Sequence, residues 1–168
     1  MSIYDESHEI NRVKFKDKKI NLRREYKILI VDDDVNMAEM LKEFLLQRGH
    51  RVSVVNESIA CIGKCQNNFY DIIFVDFYMN NLNGVELVDI IKNACQNKSL
   101  IFAFTGNDSS DALSQFKNVG MNGAIIKPIN IDILEKFMNS LELRYGLDKR
   151  IIKTIDKKRI RRNLFIFD

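Results

Sequence analysis

The stretch ILIVDDD, residues 28–34, sets four aliphatic residues directly before three carboxylates. Like charges repel by ~1 kcal/mol at about 4 Å in water, and by more wherever protein excludes water. A chain that aims three acids at one point is arranged to receive a positive partner there. The aliphatic run reads as a strand buried on both faces, so the acids lie at its carboxyl end.

From Lys27 onward, short β-branched runs alternate with longer stretches of helical period. KILIV (27–31), RVSVV (51–55), DIIFV (71–75), LIFAF (100–104) and GAIIK (123–127) read as five strands. MAEMLKEFLLQRG, SIACIGKCQNN, GVELVDIIKNACQ, SSDALSQFKNVG and IDILEKFMNSLEL read as five helices. In the first helix Met37, Met40, Leu41, Phe44 and Leu45 share a face, and Gly49 is placed to stop it. Such alternation implies right-handed crossovers and a doubly wound α/β fold with five parallel strands, for which we take the order 2-1-3-4-5, one of the common orders of that class. Ligands in this class sit outside the carboxyl ends of the strands, where the strand order reverses. Asp32 and Asp33 end the first strand and Asp76 the third, so all three face one crevice. Thr105 ends the fourth strand and Lys127 the fifth, on the same edge.

The 168 residues, 46% hydrophobic and 29% charged, describe one globular domain with short appendages. No apolar run approaches the ~18 residues of a membrane span. The start, MSIYDESHEINRVKFKDKK, is too polar for a secretory signal, and three cysteines make no disulfide framework, so the expected location is the cytoplasm, or a nucleus. Cys61 and Cys65 share a helix face and, with Cys95, read as small buried side chains. The net charge of +3 hides an uneven spread: residues 27–143 hold 10 Lys and Arg against 15 Asp and Glu, while residues 144–168 hold 9 against 3. We therefore expect a polar arm (1–26), a central domain (27–143) and a basic tail (144–168).

Clustered carboxylates suit Mg²⁺ or Mn²⁺, which share one or two of them with phosphate oxygens. A carboxylate can also attack phosphorus to give an aspartyl phosphate, a reaction governed by positioning and charge neutralisation. Asp32, Asp33, Lys127 and Thr105 supply those parts around Asp76.

At these residues the chain resembles the receiver domain of two-component response regulators. The resemblance spans residues 27 to about 143 and rests on ILIVDDD, VDFYMNNLNG, the threonine of FAFTG and the lysine-proline of IIKP. It implies that Asp76 is the phosphoacceptor and that Asp32, Asp33, Asp76 and the Tyr78 backbone carbonyl hold the metal. It also implies that Thr105 and Lys127 grip the phosphoryl oxygens, that the Lys127–Pro128 bond is cis, and that the donor is a histidine kinase or histidine phosphotransfer protein. On this reading the chain is a phosphoacceptor with no conventional output domain, not an enzyme in the ordinary sense. Asp34 reads instead as a helix cap. Asn80 stands where the family usually has proline. Ala124 stands where it usually has a switching aromatic, which implies that phosphorylation acts near Asp76 and residues 105–110 and favours a phosphate carrier.

Two rival readings remain. The haloacid dehalogenase class of phosphatases loosely fits Asp32, Asp34, Thr105 and Lys127, but Asn36 departs from its pattern and Asp76 would be idle. The tail run KKRIRR makes the chain a candidate adaptor with weak, nonspecific contact to nucleic acid or an anionic surface. Otherwise the tail is a helical extension whose LFIF residues pack on the body or on a partner, and RVKFK in the arm is either an extra edge strand or unstructured.

Overall fold

The computed structural model of the protein describes residues 25–80, 82–94, 99–142 and 164–167. The strands are β1 (Lys27–Val31), β2 (Arg51–Val55), β3 (Ile72–Asp76), β4 (Leu100–Thr105), β5 (Gly123–Ile126) and β6 (Leu164–Ile166). The helices are α1 (Val35–Gln47), α2 (Ser58–Asn67), α3 (Gly84–Ala94), α4 (Ser110–Asn118) and α5 (Ile131–Leu141). The sheet runs β2-β1-β3-β4-β5-β6, and its first five strands are parallel, a flavodoxin-like arrangement in the expected order.

A sixth, short strand extends the expected five-stranded parallel sheet at one edge. Leu164 to Ile166 pair antiparallel with Ile125 to Gly123. The Phe167 amide extends this ladder by donating to the Asn122 carbonyl at 2.8 Å. This end of the tail is therefore strand, not helix, because β5 offers an open row of backbone groups that an extended segment can satisfy. The arm up to residue 24, Cys95 and residues 143–163, with KKRIRR, lie outside the described residues.

Local chemistry sets the helix limits. The Asp34 carboxylate accepts from the Asn36 and Met37 amides and so caps α1. Ser109 caps α4 and Asn130 caps α5 in the same manner. Gly49 and Gly120 take φ of 87° and 85°, a left-handed turn just beyond α1 and α4 that suits glycine. The Lys127–Pro128 bond is cis.

Side-chain alternation along the strands builds two cores. Leu29, Val31, Ile73, Val75, Ala103 and Ala124 face one side with Cys61, Cys65, Leu87 and Phe116 from the helices. Ile28, Ile30, Phe74, Phe102 and Phe104 face the other with Leu41, Leu45 and Phe137. Cys61 and Cys65 are buried, as expected. Arg48, largely buried, holds α1 to α5 through Glu135 at 3.0 Å, Glu142 at 3.4 Å and Asn139 at 3.0 Å. The Phe137 ring meets Phe102 edge-on at 4.8 Å and Phe74 at 5.6 Å. Truncating it empties the centre of this layer. Phe137→Ala is expected to cost about 3–5 kcal/mol of unfolding free energy, measured by urea titration.

Candidate functional site

The carboxyl ends of β1 and β3 stand side by side, with Val31 opposite Val75 in register. One residue beyond Val31, Asp32 is fully buried, whereas Asp33 is exposed. Backbone anchors fix Asp32: its amide donates to the Val55 carbonyl at 3.2 Å, its Oδ1 accepts from the Asp34 amide at 2.9 Å, and its carbonyl accepts from the Asn56 side chain at 2.9 Å. Asp76, itself 7% exposed, accepts the Tyr78 amide on Oδ1 at 3.2 Å. Carboxylate oxygens of Asp32, Asp33 and Asp76 all lie within 4.8 Å of one another. The arrangement brings Asp76 to two acids that precede it in sequence by more than forty residues.

Lys127 answers them from the end of β5. Its Nζ lies 3.5 Å from an oxygen of Asp32 and 3.5 Å from one of Asp76. The Lys127 amide donates to the Thr105 carbonyl at 2.8 Å, which locks the ends of β4 and β5 together. Thr105 is fully buried, and its Oγ1 accepts from the Asn107 amide at 3.1 Å. Across the mouth, the Asn107 side chain donates to the Tyr78 hydroxyl at 3.2 Å, and the Tyr78 ring is more than half exposed.

One ammonium does not balance three carboxylates. Burial pushes the Asp76 carboxyl up to about 6; Lys127 pulls it down, Asp32 raises it again, the Tyr78 amide lowers it and Asp33 adds a smaller rise. Among the described residues the buried Oδ2 of Asp32 has no hydrogen-bond partner, since Lys127 at 3.5 Å supplies charge but not a short bond. A buried anionic oxygen with a spare lone pair, two further carboxylates alongside and an overall charge deficit fit a hard divalent cation.

The structure brings Asp32, Asp33, Asp76, Thr105 and Lys127 to one edge of the sheet, with Tyr78 beside them. It separates Asp34, whose carboxylate is spent on the α1 cap. That removes the second acid the haloacid dehalogenase reading requires, whereas Asp76 is central. Asn56 was missed, although it directly follows the second strand at the same sheet edge and the rule that located the acids applies to it equally.

The profile of the response regulator receiver domain matches residues 28–139. The chain belongs to that family. A receiver is a phosphoacceptor domain of two-component signalling. Among curated proteins the chain is 30% identical over 130 residues to the transcription factor SKN7 of Saccharomyces cerevisiae, covering 77% of this chain and 20% of that protein. It is also 30% identical over 114 residues to the CAI-1 autoinducer sensor kinase/phosphatase CqsS of Vibrio cholerae, covering 67% of this chain and 17% of that one. The chain thus spans about a fifth of these relatives' length. A two-component response regulator from Clostridium difficile superposes with a TM-score of 0.66 at 28% identity, over 72% of this chain and 98% of the other. The chemotaxis response regulator CheY4 of Vibrio cholerae gives 0.65 at 25% identity, over 70% and 99%. Among the described residues, no helix is long and apolar enough to cross a membrane.

Because the Asp76 carboxyl is raised, folding favours its protonated form, and the cost of its charge appears as pH rises through the range from about 4 to 6. In EDTA at neutral pH, Asp76→Asn is expected to stabilise the receiver by about 1–3 kcal/mol, and the gain should fade below pH 5. Urea titrations of both proteins at several pH values provide the measurement.

Proposed function

We propose that residues 27–143 form a receiver unit that takes a phosphoryl group from a phosphohistidine onto Asp76. The observation that carries this reading is the Lys127 ammonium poised 3.5 Å from both Asp32 and Asp76. A carboxylate so placed remains available as a nucleophile while its approach to a phosphoryl group is shielded from the neighbouring acids.

In the transfer, an Asp76 carboxylate oxygen forms a new P–O bond as the P–N bond to the donor imidazole breaks. The imidazole leaves with that electron pair and takes a proton. Lys127 exchanges one of its carboxylate contacts for a phosphoryl oxygen. Thr105 turns its hydroxyl from acceptor of the Asn107 amide to donor toward another phosphoryl oxygen. Asp32, Asp33, Asp76 and the Tyr78 carbonyl would hold Mg²⁺ or Mn²⁺, which supplies charge neutralisation for the phosphoryl oxygens. The donor class is a histidine kinase or histidine phosphotransfer protein, and the setting is the cytoplasm, or the nucleus of a eukaryote.

Incubation with acetyl phosphate and Mg²⁺, followed by a phosphate-affinity gel, tests the assignment. Wild type should shift, whereas Asp76→Asn and wild type in EDTA should not. Labelling that survives Asp76→Asn would place the acceptor elsewhere.

Tyr78 and Asn107, hydrogen-bonded over the mouth, cover a route by which water reaches the aspartyl phosphate. Removing the ring in Tyr78→Gly is expected to speed hydrolysis about tenfold, equivalent to ~1.4 kcal/mol of barrier. Decay of the shifted band after desalting measures it, and equal decay would assign the shielding to other groups.

A further inference from the structure

The row of residues that leads from Thr105 to the tail is unusual in its sizes. Ala103 lies two residues before Thr105 on β4, so their side chains share a face. Ala103 pairs with Ala124 on β5, and Ala124 pairs in turn with Phe165 on β6. Both alanines are fully buried. Phe165 is half-buried, and Phe167, also half-buried, packs against the cluster that contains Ala103, Ala124, Ala112 and Phe116. Two side chains without rotamers therefore stand between a buried threonine at the site and a pair of aromatic residues from the tail.

From this register we infer that residues 164–167 are a phosphorylation-dependent ligand of the β5 edge, held more tightly when Asp76 carries a phosphoryl group. The inference rests on the assignment of Asp76 as acceptor. Asp76 lies on the β3 side of Thr105, since Asp76 pairs with Phe104. A threonine hydroxyl that turns toward a phosphoryl group on Asp76 moves away from β5. The space it leaves borders Ile126, the partner of Thr105 on β5, whose branched side chain is stiff at χ1, and beside it Ala103 and Ala124, which have no rotamers to fill it. Phe165, directly across from Ala124 and held by only a three-residue strand, is the large side chain on this row that can settle inward. Deeper packing of the ring strengthens the β6 ladder, including the bond from the Phe167 amide to the Asn122 carbonyl. The tail thus supplies the aromatic volume that Ala124 lacks, and the phosphorylation signal reaches the far edge of the sheet instead of stopping near residues 105–110.

Amide hydrogen exchange by NMR on the full chain in Mg²⁺, with and without beryllofluoride, tests the coupling. Shifts at Gly106 and Asn107 report occupation of the site. With the site occupied, protection of the Phe167 amide should rise about tenfold, which roughly 50 Å² of newly covered apolar surface delivers. Phe165→Ala should keep the shifts at Gly106 and Asn107 but lose the rise. Thr105→Ser, which keeps the hydroxyl, should retain the rise, whereas Thr105→Val should lose it. Unchanged or lower protection at Phe167 while Gly106 and Asn107 shift would overturn the coupling alone. No shift at either place would overturn the reading of Asp76, and the coupling with it.

Discussion

Three carboxylates converge where, among the described residues, one ammonium reaches them, and much of this receiver's organisation answers that imbalance. Asp32 is tolerated inside the protein because its backbone and Oδ1 are fully engaged while Oδ2 faces Lys127. Asp76 is tolerated at the cost of a raised carboxyl pKa. Unlike a structural ion pair, which is satisfied when its partners meet, this cluster has unmet capacity for positive charge. A resting state that is stable enough to fold yet electrostatically incomplete is suited to binding and to chemistry.

The parallel sheet makes that convergence possible at low cost. Each acid or its partner follows a buried aliphatic run, so hydrophobic packing well away from the crevice determines where the charged groups arrive. The two aromatic and aliphatic layers on either side of the sheet hold the strand ends in register. Arg48 then ties α1 to α5 across the surface of one layer, with several acceptors compensating its loss of water. The precision of the site is thus a property of the scaffold more than of the loops around it.

What could be read in advance followed from local periodicity. The runs after Lys27 carried their own alternation with helices, and the strand-end rule placed Asp32, Asp33, Asp76, Thr105 and Lys127 on one edge. Asp34 was legible as a cap because its position before VNMAEM satisfies a local rule. The strand at Leu164–Ile166 was not legible, because LFIF is too short to show a period and its pairing depends on the exposed edge of β5. The one-residue shift of the third strand, which ends at Asp76 instead of Val75, has a similar origin: pairing with Phe104 extends the ladder past the aliphatic run. Tertiary neighbours, which no window of sequence contains, decided both.

The antiparallel β6 also alters how the molecule meets its own kind. An edge strand with unsatisfied amides and carbonyls is a template for any extended chain that passes, and the central receiver ends in such a strand at β5. Here the template is occupied by a segment tethered to the same polypeptide, whose local concentration greatly exceeds that of a competitor in solution. The edge that a neighbour would meet on this side is thereby moved outward to a shorter strand. A receiver trimmed behind α5 would keep every group of the acidic site, yet its edge would be the four-residue β5 in place of the three-residue β6.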